Sequence, residues 1–458
     1  QTVALLTTFT FAFATGSWAI ASQDLRQHTI SNLLVVSIIL VLMKIERSQF
    51  NQNFLLLLAG FLAGLLPGVR VTSAIFLVAA AVYVVYFYRR KAIYFLFGLS
   101  SLLLNIGWNL YFFGIDNALV GGYVKHLEER PSSYTFDIQH ILWSAAGILF
   151  SPSEGFFFFS PVLLFSLLGF YQLLKRRSGR DEKLLFCFAF ASFGLYLHYC
   201  IYLFWIGGID SFGSRVMTDT LPAACFLIGY FLDDLLQKID RRKFTRIVFT
   251  VFLASLFIST GIEAIGAFTQ TGWGQSPLPL FVNKNRIWNL SDSQIDRHFR
   301  NLIAKIIEPI KDRDEYLQDL RGEIEQVAIA DRDGEQALGD RFTVRSKERK
   351  IIKVMLSNTG KSQWYGYQTG LESQGETKLK VSFTDSKGET IAMRTGDVLY
   401  ISGSPKFSEQ TEAIGSILFP NEPGNYQMKL TLFADGISRL QTAQANYVHD
   451  LTVLPRSK

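Results

Sequence analysis

The stretch Ala59–Val85, AGFLAGLLPGVRVTSAIFLVAAAVYVV, carries one charged residue, Arg70, between two apolar runs. Pro67 and Gly68 favour a tight turn just before this arginine. Apolar runs that approach 20 residues are typical of membrane-spanning helices. The stretch therefore predicts two membrane crossings joined by a short turn, with Arg70 at one surface of the bilayer.

The composition of the whole chain agrees with this interpretation. Of its 458 residues, 49% are hydrophobic and 14% aromatic, which is more apolar than soluble domains usually are. Apolar residues fill the chain up to about Phe268, after which charged residues and strand-like patterns increase. Gln1 lies inside an apolar run without a preceding Met or basic region, which favours a start partway through a longer protein over a signal peptide.

Hydropathy predicts nine spans and hence a polytopic α-helical membrane domain over residues 1–270. An odd number of spans places the two ends of the chain on opposite sides of the membrane. The predicted spans are Val3–Ile20, Ile30–Met43, Phe54–Leu66, Val71–Tyr88, Ala92–Phe113, Gly155–Leu174, Leu184–Phe204, Val216–Leu236 and Ile247–Phe268.

Charge in the connecting loops predicts the orientation. One set of alternating loops holds 15 Lys or Arg and the other holds five, namely Arg26, Arg70, Lys125, Arg130 and Arg215. The positive-inside rule places the first set in the cytoplasm. We therefore expect a multi-pass protein of the bacterial plasma (inner) membrane whose C-terminal domain is extracytoplasmic.

The few charges on the outer face are candidates for a site. Arg70 and Arg215 lie at span ends beside glycines, and a guanidinium can donate two hydrogen bonds to a phosphate. The alternative is that each reaches towards lipid headgroups. Arg26 is a further candidate ligand, and Asp24 and His28 are candidate catalytic residues. Asp24 could instead cap a helix or pair with Arg26, and His28 could be an ordinary interfacial residue.

The longest outer loop covers residues 114–154. Its Gly121-Gly122-Tyr123 turn makes Tyr123 a candidate substrate ligand. The apolar segment Ile138–Phe150 is too short to cross a bilayer and is predicted to lie along it. Long ordered loops over a cavity often bind substrate; a structural cover is the alternative.

Five motifs occur in a fixed order along the chain: GSWAIASQDLRQHT, AGFLAGLLPGVRVTSAIFLVAAAVYVV, GILFSPSEGFFFFSPVLL, WIGGIDSFGSRVMTDTLP and NRIWNLSDSQIDR. Together they resemble bacterial integral-membrane glycosyltransferases of the GT-C superfamily, relatives of protein O-mannosyltransferases and aminoarabinose transferases. The resemblance implies 11 spans in the full protein. It also implies that a polyprenyl-phosphate sugar donor binds in an outward-facing cavity, with Arg70 on the lipid phosphate and Arg215 as a second ligand.

The same resemblance implies a catalytic carboxylate in the first outer loop of the family. The present chain shows no such loop, so the principal carboxylate is expected to precede Gln1 and Asp24 is the acidic candidate that remains. A carboxylate would take the acceptor's proton while cations stabilise the departing phosphate. No cofactor is required beyond the donor, no protein metal site is predicted, and the need for a divalent metal is open.

The soluble tail is predicted in two parts. Residues 271–340 form a linker with an amphipathic helix, whose apolar face packs on the tail domain or lies on the membrane. Residues 341–458 alternate with a period of two and predict an immunoglobulin-like β-sandwich, with Tyr426 at a strand entry typical of such domains. Trp364, Tyr365 and Tyr367 are candidates for carbohydrate binding or for turn packing.

The predicted function is therefore a membrane glycosyltransferase that moves a sugar from a polyprenyl-phosphate donor to a glycan or protein acceptor on the outer face. Its expected partners are membrane lipid, the lipid-linked donor and the acceptor. No dense Lys/Arg block with interleaved aromatics is present, so nucleic acid is not expected. The alternatives are a lipid-linked saccharide transporter or flippase, and a non-catalytic membrane anchor for the sandwich domain.

Overall fold

A computed structural model describes the chain except for residues 25, 48–50, 120, 123–132, 176–178, 207–210, 240–242, 332–333, 338–340, 392–396, 439–446 and 456–458. It divides into two compact units, Gln1–Ala267 and Phe268–Lys458. The first unit is helical, and the second combines short helices with a β-sheet.

The first unit is built from helices of very different length. In chain order they are α1 (Thr2–Phe13), α2 (Gln27–Arg47), α3 (Gln52–Val69), α4 (Ala74–Tyr88), α5 (Ala92–Gly98), α6 (Leu102–Phe113), α7 (Ile138–Phe150), α8 (Phe156–Phe159), α9 (Leu164–Lys175), α10 (Arg180–Ile201), α11 (Leu221–Gln237) and α12 (Lys243–Phe268). A π-helical segment, Ser17–Ala21, follows α1, and a 3₁₀ helix, Arg215–Thr220, leads into α11.

Six helical segments in the described part of the chain are long and apolar enough to cross a membrane, judged by length and composition: Gln27–Ile45, Gln52–Val69, Val71–Phe113, Arg180–Ile201, Arg215–Gln237 and Lys243–Phe268. The prediction of nine spans, and of 11 in a full protein, is corrected to these six candidates. The predicted spans Val3–Ile20 and Gly155–Leu174 contain helix breaks, and the predicted fourth and fifth spans form one helical segment. Apolar composition does not reveal where the backbone leaves the helix, which is why the count was too high.

Close helix packing in the first unit depends on small residues. A Cβ atom on Gly60 of α3 would lie 2.0 Å from the Phe95 carbonyl oxygen of α5, and one on Gly98 would lie 2.2 Å from the Leu57 oxygen. The two backbones therefore approach to a distance that only glycine permits at these positions. This is the usual way in which apolar helices gain van der Waals contact.

The second unit begins with α13 (Gln294–Ile307) and α14 (Arg313–Gln318). Its strands are β1 (Gly322–Asp331), β2 (Gly334–Ala337), β3 (Arg341–Arg345), β4 (Arg349–Asn358), β5 (Thr377–Asp385), β6 (Val398–Ile401), β7 (Gln410–Leu418), β8 (Gly424–Ala434) and β9 (Tyr447–Leu454). Two strands, β1 and β2, thus lie within the segment predicted as a linker.

The strands form one nine-stranded sheet in the order β2-β1-β4-β7-β6-β5-β8-β9-β3. The β3–β9 pair is parallel and the other pairs are antiparallel. The predicted sandwich of two sheets is corrected by this order. The reason is β6, whose residue Tyr400 pairs with Lys378 of β5 on one side and Ile414 of β7 on the other, so the hydrogen-bonded ladder is continuous.

The sheet buries one face in a single core. Alternate residues of β4 are buried, and Ile352, Val354 and Leu356 join buried side chains from β5, β8 and β9 in that core. Trp364 is fully buried in the same core, so its role here is packing. Tyr426 donates a hydrogen bond from its hydroxyl to the Glu422 carbonyl at 2.9 Å, the backbone tie that a strand-entry tyrosine makes in immunoglobulin-like domains.

Helix α13 packs in the opposite sense to its hydropathy. Its buried residues are Gln294, Arg297, His298, Asn301 and Ala304, while Phe299, Ile306 and Ile307 are exposed. The expected packing of its apolar face on the tail domain is therefore corrected. The polar face is buried because it finds hydrogen-bond partners within the unit: Asn301 Nδ2 donates to the Gly370 oxygen at 2.7 Å, and Arg297 Nη1 donates to the Ser276 oxygen at 3.0 Å.

Candidate functional site

Three buried side chains and one partly buried arginine meet where helix ends of the first unit come together. His28 lies in the first turn of α2, Arg70 follows the last residue of α3, Tyr199 lies near the end of α10, and Asp219 lies in the 3₁₀ helix before α11. We refer to these four residues as the Arg70 cluster. Helix α3 continues through Pro67 and Gly68 to Val69, so the tight turn predicted there is wrong; the helix ends because Arg70 adopts an extended conformation.

Hydrogen bonds and one ion pair connect the cluster. His28 Nδ1 lies 2.9 Å from Asp219 Oδ1, and Arg70 Nε lies 3.2 Å from Asp219 Oδ2. Arg70 Nη1 lies 2.6 Å from His28 Nε2, and Arg70 Nη2 donates to the Tyr199 hydroxyl at 2.6 Å. Arg70 Nε also donates to Thr72 Oγ1 at 2.9 Å.

The network assigns the protonation of His28. Arg70 Nη1 also lies 2.7 Å from His28 Nδ1, but the Asp219 carboxylate only accepts, so Nδ1 is assigned the proton donated to Asp219 and Nε2 accepts from Arg70. His28 is then neutral, and the charges of Arg70 and Asp219 balance. Because His28 and Asp219 are almost completely buried, this balance removes most of the cost of placing charge away from water.

Arg215 adds a second guanidinium group to this neighbourhood. It is exposed, begins the 3₁₀ helix that contains Asp219, and, like Arg70, acts electrostatically on His28. Asp219 itself pairs with His28 and Arg70. The structure thus brings together three of the predicted site residues, Arg70, Arg215 and His28.

Two further predicted residues, Asp24 and Arg26, lie in the segment just before α2. Asp24 is exposed and Arg26 half-buried, and their observed link is a backbone hydrogen bond from Arg26 N to the Asp24 oxygen at 2.7 Å. Tyr123 lies outside the described residues. The catalytic roles predicted for Asp24 and His28 stay predictions.

Sequence reasoning missed two features of the first unit. Tyr199 lies at the end of an apolar run. Its polar hydroxyl at that position is the feature that could have identified it as a site residue. Glu263 is a carboxylate inside the last apolar run, and a carboxylate in such a run is a functional candidate by itself. It is 2% exposed and receives a hydrogen bond from Ser160 Oγ at 2.9 Å.

Buried charge in the second unit is largely structural. In the NRIWNLSDSQIDR motif, Asp292 pairs with two arginines, its Oδ2 lying 2.9 Å from Arg286 Nε and its Oδ1 2.5 Å from Arg297 Nε. These pairs tie the first turns of α13 to the preceding loop. Burial lowers the pKa of Arg286 to about 10, and Asp292 opposes the shift.

A second charged group lies beside β5. Lys378 Nζ lies 2.7 Å from Asp435 Oδ2 and 3.6 Å from Glu376 Oε1. Burial raises the pKa of Glu376 to about 7, although Lys378 opposes the change. Within the described residues, no group of three or more His, Cys, Asp or Glu side chains is arranged to hold a metal ion.

Comparison with known proteins does not identify a family for this chain. No family model and no curated protein matches the chain. Among solved structures, it is similar to a Pseudomonas fluorescens alkylpurine DNA glycosylase, AlkC, bound to DNA containing an abasic site analogue. The two are 12% identical, the match covers 94% of this chain and 99% of that one, and the TM-score is 0.23. Similarity at that level carries neither fold nor function from one protein to the other.

The predicted membership of the GT-C superfamily is contradicted: no family model and no curated protein matches the chain, and the similar solved structure is a DNA glycosylase. Sugar transfer from a polyprenyl-phosphate donor, the transporter or flippase alternative and the membrane-anchor alternative are withdrawn with it. So are the lipid-linked donor and the glycan or protein acceptor as partners, and the exclusion of nucleic acid. The physical reason is that the five motifs consist mainly of glycine, proline, aromatic residues and arginine near span ends, residue types that many helical membrane proteins use there.

Proposed function

We propose that this chain is a multi-pass protein of the bacterial plasma membrane that binds an anionic ligand, carrying a phosphate or carboxylate, beside Arg70 and Arg215. The second unit lies on the extracytoplasmic side. The observation that carries the proposal is the buried network of Arg70, His28 and Asp219 at the helix ends that are poorest in Lys and Arg. Ionisable groups buried among apolar helices are costly, and proteins retain them mainly where they serve a function.

Exposed apolar side chains support the membrane location. Phe257 of α12 is 82% exposed, Leu103 of α6 is 66% exposed and Leu33 of α2 is 65% exposed. Many further large apolar residues on these helices are exposed as well. An apolar surface of this extent would be unfavourable in water and is favourable against lipid chains.

The distribution of basic residues supports the orientation. Lys44 and Arg47 end α2, Arg180 and Lys183 begin α10, and Lys243 begins α12. Arg47 pairs with Asp181, so two of these ends lie together. The Arg70 cluster lies at the other ends of α2 and α10, which corresponds to the outer side under the positive-inside rule.

Two guanidinium groups at this end of the helices support an anion. Two helices, α2 and α11, begin near the cluster and two, α3 and α10, end there. Their helix dipoles therefore largely cancel. Arg70 follows the end of α3, and Arg215 begins the 3₁₀ helix before α11. Guanidinium groups suit phosphate and carboxylate oxygens because they donate paired hydrogen bonds.

Anion binding can be tested on the purified protein in detergent or lipid nanodiscs. The probes are inorganic phosphate and acetate at constant ionic strength, and the readout is the thermal unfolding midpoint. Arg215→Ala should weaken the response roughly 10- to 100-fold in anion concentration, as expected for loss of a charge-assisted hydrogen bond. Arg215→Lys should restore it in part because the charge returns without the planar fork.

The matched control is Arg89→Ala, which removes an exposed arginine between α4 and α5. It should leave the anion response unchanged. Equal responses of wild type and Arg215→Ala, or no response of the wild type to either anion, would remove the support for an anion site.

A further inference from the structure

A small cavity lies beside the 3₁₀ helix that carries Asp219. Glu263 of α12, Ser160, Ser214 and Thr218 contribute oxygen atoms or backbone to its lining, and Gly16 and Ile20 bring the π-helical segment against it. The cavity has room for about one water-sized species. Short π-helical segments are frequent at functional sites.

Three side-chain oxygens at this cavity are buried without a hydrogen-bond partner among the described residues: Glu263 Oε2, Ser214 Oγ and Thr218 Oγ1. The other carboxylate oxygen of Glu263 accepts from Ser160 Oγ. Leaving even one buried polar group without a hydrogen bond destabilises the folded state. Three at one place indicate that the cavity holds a species that these oxygens bind.

The chemistry of the lining restricts that species. A buried carboxylate is neutralised either by a proton or by a cation. A proton on Oε2 neutralises the carboxylate but does not satisfy both hydroxyl oxygens, Ser214 Oγ and Thr218 Oγ1. A cation can take all three oxygens at once.

The charge of the cation follows from the single carboxylate. A monovalent ion forms a neutral pair with Glu263, whereas a divalent ion would leave a net positive charge in an apolar surrounding. Hard alkali cations prefer carboxylate, hydroxyl and carbonyl oxygens, as other hard cations do. We propose that Glu263, Ser214 and Thr218 form a binding site for a monovalent alkali cation, for which Na⁺ is the probe.

The proposal is independent of anion binding but shares one structural element with it. Thr218 faces the cavity and Asp219, the next residue, belongs to the Arg70 cluster. Both lie in the 3₁₀ helix Arg215–Thr220. Cation binding therefore fixes the position of the same short helix that carries Arg215 and Asp219.

The test compares thermal unfolding of the full chain at pH 8 in NaCl, KCl and choline chloride of equal ionic strength. The wild type should melt roughly 3 °C or more higher in saturating Na⁺ than in choline, because an ion that binds only the folded state stabilises it. Glu263→Gln should abolish this difference. Thr218→Val should raise the Na⁺ concentration at half-effect about tenfold, a loss of the size expected for one ligand oxygen.

Thr220→Val is the matched control. Thr220 is buried in the same 3₁₀ helix, but its hydroxyl donates to the Met217 carbonyl at 2.7 Å and does not line the cavity. It should keep the full response to Na⁺. If Glu263→Gln does not fold, the Na⁺ responses of Ser214→Ala and Thr218→Val are compared with that of Thr220→Val. The proposal expects a weaker response in the first two variants than in the third.

Two results would overturn the proposal. One is a wild type that melts alike in all three salts. The other is a Na⁺ response that persists in Glu263→Gln or is equal in Thr218→Val and Thr220→Val. A melting temperature that depends on pH but not on the cation, and loses that dependence in Glu263→Gln, would identify a protonated carboxyl group in place of a cation site.

Discussion

At the scale of single residues, Asp219 is the group on which the Arg70 cluster depends. It is fully buried and is the negative partner of Arg70, while its second oxygen fixes the ring of His28. Asp219 therefore holds the cluster together through contacts far apart in sequence.

Replacement of Asp219 by Asn should destabilise the first unit by about 3–5 kcal/mol, because it leaves the charge of Arg70 buried without its counter-ion. The measurement is the free energy of unfolding of the full chain in detergent. Asp181→Asn provides the control: it breaks the exposed pair with Arg47 at the opposite helix ends, and an exposed pair contributes about 1 kcal/mol or less. Similar losses in both variants would argue against a buried ion pair at Asp219.

His298 predicts a pH dependence for the second unit. Burial lowers the pKa of His298 to about 4 from 6.5, with Arg297 and Lys305 adding to the shift and a hydrogen bond to the Gln294 backbone opposing it. The folded state therefore keeps His298 neutral while the unfolded state binds a proton below 6.5. Stability is complete above that pH and falls as the pH drops towards 4, by up to about 3 kcal/mol.

The check compares chemical denaturation of wild type and His298→Gln between pH 4 and 7.5. The variant should lose less stability across this range. The comparison with a variant is needed because Glu376, whose pKa rises from 4.5 to about 7, favours the folded state at low pH and partly masks the effect. Parallel pH profiles would show that His298 does not titrate differently on unfolding.

At the scale of elements, α13 shows why an amphipathic pattern does not by itself decide which face is buried. Its apolar residues follow helical spacing, yet the polar face lies inside the unit. Ser293 caps the helix by accepting from Asp296 N at 3.2 Å, so the sequence does determine its start. The buried face is decided by the backbone carbonyls of the 370–372 loop, which offer acceptors to Asn301.

Because α13 buries its polar face, substitutions of its polar residues should destabilise the second unit more than substitutions of its apolar residues. Asn301→Ala should cost about 1–3 kcal/mol because it leaves buried carbonyl acceptors without a donor. Ile306→Ala, at a position 72% exposed, should change the free energy of unfolding by less than about 0.5 kcal/mol. Unfolding of the second unit, followed by hydrogen exchange of the β4 and β5 amides, measures both. A larger loss for Ile306→Ala than for Asn301→Ala would contradict the observed orientation.

At the scale of the whole molecule, the membrane proposal predicts on which side each unit lies. The three cysteines, Cys187, Cys200 and Cys225, are free and lie in helices of the first unit, so introduced cysteines can report topology after their removal. Lys406→Cys in the second unit should react with an impermeant maleimide in intact spheroplasts. Lys91→Cys, at a basic helix end, should react only after permeabilisation.

Both reporter positions are exposed, so labelling depends on the barrier and not on burial. The reverse pattern would invert the orientation. Reaction of both positions in intact spheroplasts would show that no membrane separates them, and the proposed location would fail.

The sequence by itself determined those properties that depend on residues close together along the chain. The apolar runs determined the long helices, the asymmetry of Lys and Arg determined the predicted orientation, and the period-two pattern determined the strands after Arg341. Arg70, Arg215 and His28 were identified as site residues because charge is conspicuous at the end of an apolar run. These signals are local, and they remain visible without knowledge of the fold.

The tertiary structure decided which residues are the hydrogen-bond and ion-pair partners of these site residues. Asp219 lies 191 positions from His28, Tyr199 lies 129 positions from Arg70, and Ser160 lies 103 positions from Glu263. The continuity of the sheet through β6 and the buried polar face of α13 depend in the same way on distant segments. Periodicity and spacing carry no information about such pairs, because hydrogen bonds and ion pairs form between atoms that folding brings together, and many partners along the chain have the same local chemistry.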